Sequence, residues 1–561
     1  MAATRSAPST CCNGSSTSAD RPGRRPPRRC DPPCWRPSSR TRPRPGWRRC
    51  ASPTRPCRGP SAEGSVIDGT GAAPGELLTE LRRRRDERPA AVALRTATTG
   101  GGHLATWAQL HEAAYAVLSF AATLEPTAPV LLIVDNTPAS AATLIGLTAA
   151  GVDVLPVEEV NSHLTDLLAP SRNPGVRTVV GPARAAGTQP AGIAFLSYER
   201  CRAQPDQAGA PRAGRLGEVL QLTSGSAGEP KIVRHSLANV WQGGHTYRQI
   251  LDLTPADVVV AAVPLAHSFG LVGALTAVIV SGAELRTTQR FQPGRLADTL
   301  AAEATVLFGT PQVYRLLTPV MHRRPTPARL RAAVSSGGPL PADLGVRACA
   351  VLGVPVRQFY GSTETGLISY QPDLDGELPD PSVGVPAPGV RLRLTRAEPD
   401  DPTGAGQLSV YTPTLFHGYL GGSGPVCAPD GFYDTGDLAR LDADGRLHLL
   451  GRKDTFVNVG GRKVNPTRVA RILGEHPEVR EAFVFGLTDA DGEQRVHAAV
   501  VLGPGTDRAD LAEHCRARGL APYEVPHELH RLDRLPRTAM GKVDRQAVIA
   551  AVTAVPIGSE V

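Results

Sequence analysis

The chain has 561 residues, 41% of them hydrophobic and 20% charged, which is enough apolar material for several domains and excludes wholesale disorder. No uncharged apolar run reaches the roughly 20 residues of a membrane-spanning helix, so no span is expected. The net charge of +8 is unevenly placed: residues 1–65 carry +11 and the rest of the chain −3, so the basic character belongs to the N-terminal segment.

Residues 1–65 contain no Val, Ile, Leu, Phe, Tyr, Lys, His or Gln and are dominated by Arg, Pro, Ser, Ala and Cys. Such a segment cannot bury enough apolar surface to offset its ordering entropy, and a disordered tail is expected. Three readings stay open: a basic arm for RNA or anionic surfaces, an Arg- and Ser-rich transit peptide, or GC-rich upstream sequence read from a start codon placed too early. The third is favoured, because the proline density and missing aliphatics suit neither a targeting helix nor a working arm. A secretory signal would need an apolar core that is missing here. Six of the ten cysteines lie in this segment, and a metal role for Cys30 and Cys34 lacks a nearby His or second pair. Cys201, Cys349, Cys427 and Cys515 are scattered at no metal-like spacing, which points to a reducing, cytoplasmic compartment.

From about residue 76 the pattern is that of a globular protein. Apolar runs predict a strand over 129–135, a small-residue helix over 140–150 and a strand over 152–156, one βαβ unit. A strand over 218–223 runs into a Gly/Ser loop, with a helix expected from about Ser236. Short apolar runs at 257–263, 305–308 and 331–335 are each followed by turn residues and a helical stretch, an alternation that argues for parallel α/β layers. After Val383 the pattern becomes hairpin-like, with runs at 390–394, 407–411 and 438–450, the last turning at Asp444 and Gly445. A final α+β stretch follows Arg452: helices near 466–475 and 508–518, strands near 481–487 and 495–502, then an extended basic end. No internal repeat of 20–50 residues is visible.

The strongest local signal is Leu222-Thr-Ser-Gly-Ser-Ala-Gly-Glu-Pro-Lys231. Gly225 and Gly228 let the backbone turn its N–H groups toward an anion; Thr223, Ser224 and Ser226 offer hydroxyls, and Lys231 a point charge. This is a phosphate loop by its chemistry, though not the GxxxxGK[ST] type.

Further segments follow in order: Val263-Pro-Leu-Ala-His267-Ser-Phe-Gly270, Ser336-Gly-Gly-Pro-Leu340, Tyr360-Gly-Ser-Thr-Glu364, Tyr433-Asp-Thr-Gly-Asp437, Gly451-Arg-Lys-Asp454, Val459-Gly-Gly-Arg-Lys-Val-Asn465 and Pro536-Arg-Thr-Ala-Met-Gly-Lys542. Together with the loop at 222–231 they resemble the motifs of the adenylate-forming superfamily, which includes acyl- and aryl-CoA synthetases, luciferases and nonribosomal-peptide adenylation domains. The resemblance implies an α/β fold. A large ATP- and acyl-binding domain of layered α/β subdomains plus a β-rich subdomain would span 66–452, and a small mobile α+β domain 453–561. It also implies ATP and Mg²⁺ as cofactors.

Residue by residue, the resemblance assigns Glu364 to Mg²⁺, Thr363 to the α-phosphate, and Gly338, Tyr360 and Gly361 to the adenine side. Asp437 and Arg452 would hold the ribose, and Lys542 would bridge the substrate carboxylate and the α-phosphate. Asp454 would be the hinge, Gly460 and Gly461 would border a pantetheine tunnel, and His267 would gate the acyl pocket without acid–base work. Two positions depart from the family pattern: Ala227 stands where Thr is usual and Ile232 where Gly is usual. The loss of one neutral hydroxyl contact would cost about 0.5–1.5 kcal/mol, which weakens ATP binding without abolishing it.

Amino-acid-activating members carry an Asp near the gating motif, whereas residues 266–274 here read AHSFGLVGA with no carboxylate. An unpaired ammonium buried there would be costly, so the expected substrate is an aryl or aliphatic carboxylic acid without an α-amino group. Gly309, Gly337 and Gly361 are expected to leave room beside this pocket. The acceptor is expected to be the thiol of CoA, with a carrier protein's phosphopantetheine arm as the alternative; no carrier domain is evident after Lys542, so a freestanding enzyme is expected. A nucleic-acid-binding protein working through its basic arm is the reading from another class, and the −3 charge of the body and its lack of any RNA-binding motif weigh against it.

Overall fold

The computed structural model describes residues 76–98, 101–121, 124, 128–159, 167–169, 173–202, 215–223, 231–372, 380–395, 404–422, 426–459, 462–488, 493–503, 508–538 and 541–553. The expectations for the N-terminal tail, for 224–230 of the phosphate loop and for Gly460 and Gly461 lie outside these residues.

The βαβ unit is built as its sequence predicts. Strands Val130–Val134 and Val154–Glu158 pair in parallel, Val130 opposite Val154, around helix Pro138–Ala149. All five residues of the first strand are buried, which fits an unbroken apolar run covered on both faces. Thr137 opens the helix by accepting from the Ser140 amide, with Pro138 in the first turn. The sheet has seven strands, in the order Gly418–Tyr419, Lys231–His235, Val219–Thr223, Val154–Glu158, Val130–Val134, Thr178–Gly181 and Ala194–Ser197.

A second sheet of nine strands runs Val385–Pro386, Gly366–Tyr370, Val356–Ser362, Ala332–Ser335, Val306–Gly309, Val258–Ala261, Glu284–Thr288, Val92–Thr98 and Gly101–Thr106. Between the two sheets lies an apolar core built on Trp107, Leu110, Val117, Leu144, Ile145 and Leu275. Strands Val258–Ala261, Val306–Gly309, Ala332–Ser335 and Val356–Ser362 are parallel neighbours. Their C-terminal ends therefore lie side by side, and His267, Gln312, Gly337 and Glu364 all follow from that one edge. Ligands of open α/β sheets bind beyond the carboxyl ends of the strands.

A four-stranded antiparallel sheet follows, in the order Arg391–Thr395, Gly406–Tyr411, Tyr433–Leu441, Leu447–Arg452. Its last turn is stabilised by Asp442, which accepts from the Asp444 and Arg446 amides. Beyond Arg452 come a hairpin (Val457–Val459, Arg462–Val464), helix Pro466–Gly474 capped by Asn465, and the three-stranded sheet Val479–Thr488, Gln494–Leu502, Glu528–Arg531. Period-two alternation gives this sheet two apolar faces. Val484, Val496, Ala498 and Val500 pack on Val469, Ile472 and Leu511, while Phe485, Ala499 and Val501 pack on Val548 and Val552.

Three elements differ from the sequence expectation. Lys231–His235 is a second strand, antiparallel to Val219–Thr223, so the phosphate loop connects a hairpin and does not lead straight to a helix. Ser236 then caps helix Leu237–Ile250. The expected extended basic end contains strand Glu528–Arg531 and helix Arg545–Thr553; the apolar run 547–552 falls on the helix, whose Val548 and Val552 pack on the sheet.

Candidate active site

The loop after Val356–Ser362 is held from behind by its own carbonyls. The Thr363 carbonyl accepts from His235 Nε2 at 2.5 Å, the Glu364 carbonyl from the Phe416 amide at 2.9 Å, and the Thr365 carbonyl from the Thr412 and Thr414 hydroxyls. Burial holds the His235 ring below the usual histidine range, with the Thr363 hydrogen bond opposing, so it is the neutral ring that donates. Three pinned carbonyls in succession fix the backbone that carries the Thr363 and Glu364 side chains. Glu364 Oε1 accepts from the Tyr419 hydroxyl at 3.1 Å, and Lys231 Nζ stands 5.0 Å from the Tyr419 ring centre. Burial, with Tyr433 and Glu364 adding to it, raises the Tyr419 phenol well above its ordinary range, so it stays a donor.

A second group forms on the antiparallel sheet. Asp437 and Arg452 are cross-strand partners, 3.8 Å apart at Oδ1 and Nε. Tyr360 donates to Asp437 Oδ2 at 2.5 Å, and burial next to that carboxylate drives its phenol far up. Arg452 is half-exposed, so its pairing with Asp437 is weak in itself. The motif residues Tyr360, Asp437 and Arg452 thus come together from three parts of the chain.

Lys542 reaches the same place from the C-terminal sheet. Gly541, in left-handed conformation (φ 77°), lies so close to helix Pro311–Met321 that an added Cβ would stand 2.9 Å from Gln312 Cβ. The next side chain, Lys542, then lies over Gly337, its Cε 4.0 Å from where a Gly337 Cβ would be. The residue is solvent-exposed as a whole, yet protein atoms crowd its ammonium. Desolvation lowers the amine's pKa, Arg452 adds to this and Glu364 opposes it. Glu481 fastens the arrangement by accepting from Arg537 Nη2 at 2.5 Å and also pairing with Arg315 of helix Pro311–Met321.

His267 lies where strand Val258–Ala261 gives way to a π-helical stretch, Phe269–Thr276. Its Nε2 is 2.5 Å from Glu158 Oε1, at the end of the parallel strand from the other sheet. Behind it, Ser268 donates to Gln221 at 2.5 Å. Asn136 (φ 61°) joins the two sheets. Its carbonyl accepts from Thr96 and Thr287, its Nδ2 donates to Thr288, and its Oδ1 accepts from the Leu265 amide at 2.9 Å.

Two sequence readings need correction. A carboxylate does stand beside His267: residues 266–274 supply none, but Glu158 arrives from another sheet. Gly309 and Gly361 do not open a pocket. A Cβ on Gly309 would press on Val313 and Tyr314 at 3.1 Å, and one on Gly361 would lie 2.2 Å from the Gly366 carbonyl, so both serve local packing. Gly338 faces open space, a Cβ on Gly337 would only touch Thr310 at 3.8 Å and Lys542 at 4.0 Å, and Gly337 alone of the three glycines borders Lys542. Asp454 lies in a short 3₁₀ turn, Lys453–Thr455, directly after the antiparallel sheet.

A fold of this layering, with Tyr360, Asp437 and Arg452 brought together and Lys542 carried over Gly337 by the C-terminal segment, is that of an adenylate-forming enzyme. The family model described as AMP-binding enzyme matches residues 81–420, the model for the AMP-binding enzyme C-terminal domain matches residues 468–542, and the chain belongs to this family. It is 31% identical over 334 residues to a 2-succinylbenzoate–CoA ligase of Bacillus licheniformis, covering 58% of this chain and 68% of that one. It is 29% identical to an oxalate–CoA ligase of Arabidopsis thaliana, over 59% of this chain and 67% of that one. Among solved structures, ATP-bound MatB from Rhodopseudomonas palustris superposes with a TM-score of 0.72 at 26% identity, covering 84% of this chain and 98% of that one.

Proposed function

We propose that the chain is an AMP-forming acid–thiol ligase that activates a carboxylic acid without an α-amino group as its acyl-adenylate and transfers the acyl group to the thiol of CoA. The observation that supports this most is the placing of Lys542 over Gly337, within the electrostatic reach of Glu364 and Arg452. A cation delivered there lies where charge would concentrate as a carboxylate attacks the α-phosphorus.

In this reading Tyr360 and Arg452 orient Asp437 toward the ribose hydroxyls, and Thr363 lies beside the α-phosphate. Thr223 and Lys231, paired at the loop end of the hairpin, would flank the phosphate chain. Glu364 would hold Mg²⁺: among the described residues its carboxylate accepts only the Tyr419 hydrogen bond, and a half-free carboxylate suits a hard cation. Mg²⁺, when bound, supplies neutralisation of the phosphate charge. Asp454 serves as the hinge and His267 as the gate of the acyl pocket.

CoA is favoured over a carrier protein by two observations. The relatives carry the names of CoA ligases, and the acids those names print, 2-succinylbenzoate and oxalate, lack an α-amino group. A cavity of ≈ 780 Å³ is also lined by Val459, Arg495, Arg516 and Tyr523; two guanidinium groups and an aromatic ring suit a nucleotide diphosphate. The basic-arm reading gains nothing from the family match, which starts at residue 81.

The test is ATP–pyrophosphate exchange over a panel of aryl, short-chain, medium-chain and amino acids, followed by thioester formation with CoA and with a phosphopantetheinylated carrier protein. Exchange with an acid of the first three groups and thioester with CoA are expected. Release of ADP and phosphate would overturn the adenylation reading, and acyl transfer to the carrier alone would overturn the acceptor.

A further inference from the structure

Strand Glu528–Arg531 pairs in parallel with Gln494–Leu502, with Glu528 opposite His497 and His530 opposite Ala499. Glu528 and His530, two residues apart, share one face of their strand, and the register brings His497 between them. The three donor atoms form a compact triangle. His497 Nδ1 lies 3.1 Å from His530 Nε2 and 3.5 Å from Glu528 Oε2, and His530 Nε2 lies 3.6 Å from the same oxygen.

We propose that His497, Glu528 and His530 bind one divalent transition-metal ion of the zinc class. A tetrahedral ion with bonds of about 2.0–2.1 Å separates its ligand atoms by about 3.3 Å, and the three observed separations bracket that value. Two imidazoles and one carboxylate suit zinc, cobalt or nickel; magnesium and calcium prefer oxygen throughout. His497 is buried and its ring meets that of His530 head to head in nearly one plane, at an interplanar angle of 9°, with both rings within 26° of the plane of the fully buried Phe485; a shared ion would turn each ring so that its facing nitrogen points to the ion. Glu528 and His530 keep part of their surface exposed, which provides a route of entry and a fourth position for water. The ion takes the place of the hydrogen bond between the two rings, and the ring that donated it shifts that proton to its other nitrogen, so that both facing nitrogens offer a lone pair. Bound there, the ion ties strand Glu528–Arg531 to its neighbour, just before the segment that leads to Lys542.

The experiment uses the full chain, free of any histidine tag and stripped with EDTA, in excess Mg²⁺ to fill oxygen sites. Zn²⁺ is titrated by calorimetry and Co²⁺ by visible absorption, for wild type, Glu528→Gln and His530→Asn. One tight equivalent per chain is expected in wild type, with Co²⁺ absorption of a four-coordinate site and a Zn²⁺-dependent rise in Tm. Both variants should bind about 10-fold or more weakly and lose that rise. Glu528→Gln keeps size and shape at a partly exposed position, so it separates loss of the ion from loss of the fold. No tight equivalent in wild type, or equal affinity in both variants, overturns the proposal.

Discussion

Glu158 and His267, 109 positions apart in the chain, meet at 2.5 Å where the ends of the two large sheets converge. The contact ties the loop of one sheet to the end of a strand in the other, and it engages the carboxylate nearest His267.

Removing that carboxylate should loosen the His267 ring without touching the nucleotide side. A hydrogen bond to a charged group contributes about 1.5–3 kcal/mol, so Glu158→Ala is expected to raise KM for the acid about 10-fold or more and leave KM for ATP unchanged. The pair also bears on substrate choice. While His267 occupies Glu158, α-amino acids should be poorer substrates than their deaminated analogues. His267→Ala frees the carboxylate and should narrow that gap. Exchange assays on matched pairs of acids check both points; a gap that stays constant would show that Glu158 does not face the substrate.

If Lys542 serves adenylation and the C-terminal segment turns at Asp454 to admit the thiol, as proposed above, the two half-reactions should respond to different mutations. Loss of a transition-state charge contact typically costs about 10²-fold or more. Lys542→Ala is therefore expected to slow adenylate formation by that factor and to spare thioester formation from presynthesised acyl-adenylate. Asp454→Pro should do the reverse, because a fixed φ hinders rotation at the turn Lys453–Thr455. Single-turnover rates of each step decide this; equal slowing of both steps by each variant would count against domain alternation.

Glu481 makes a gentler version of the same test, since it holds Arg315 of the large domain and Arg537 of the Lys542 segment together. Partly exposed ion pairs contribute about 1 kcal/mol at most, about a fivefold change in an equilibrium. Glu481→Gln should thus slow adenylation a few-fold and leave the thioester step unchanged or faster. A variant slowed equally in both steps would assign the pair to folding stability alone.

The legible parts of this molecule are those in which one short run carries its own signal. Val258–Ala261, Val306–Gly309 and Ala332–Ser335 are four-residue apolar strands closed by Gly, Ser or Pro, and the motif loops follow directly from them. Glu158 was not legible, because it becomes a neighbour of His267 only through the meeting of two sheets. Ser236 caps its helix where the sequence placed the start, but Lys231–His235, which alternates in burial as a strand should, is too short and too polar to stand out from the loop before it. Asn136 is a single polar residue after an apolar strand, and nothing in its surroundings announces that it joins Thr96, Thr287 and Leu265. Glycine was misread for a related reason: a missing side chain looks the same in sequence whether it opens a pocket or admits Tyr314 or a neighbouring carbonyl.

His235 should make the motif loop sensitive to acid. Its buried ring is held below the ordinary value, and His417 pushes it further down while Glu364 and Glu218 oppose. An unfolded histidine takes up its proton near about pH 6.5, whereas the folded one does so only at lower pH. Between those points the unfolded chain binds more protons, so the stability is intact above about pH 6.5 and is lost as pH falls through the lowered folded value. Protonation at Nδ1 leaves the Nε2–H bond to the Thr363 carbonyl in place; what acid opposes is the burial of the charged ring, and its withdrawal toward water would loosen the segment that carries Glu364. Glutamine at this position can donate to the same carbonyl and does not titrate. His235→Gln is therefore expected to match wild type in Tm and in KM for ATP at mildly alkaline pH, and to decline less as the pH is lowered through the histidine range. Paired pH profiles of both quantities check this, and superimposable profiles would remove His235 as the source of the acid limb.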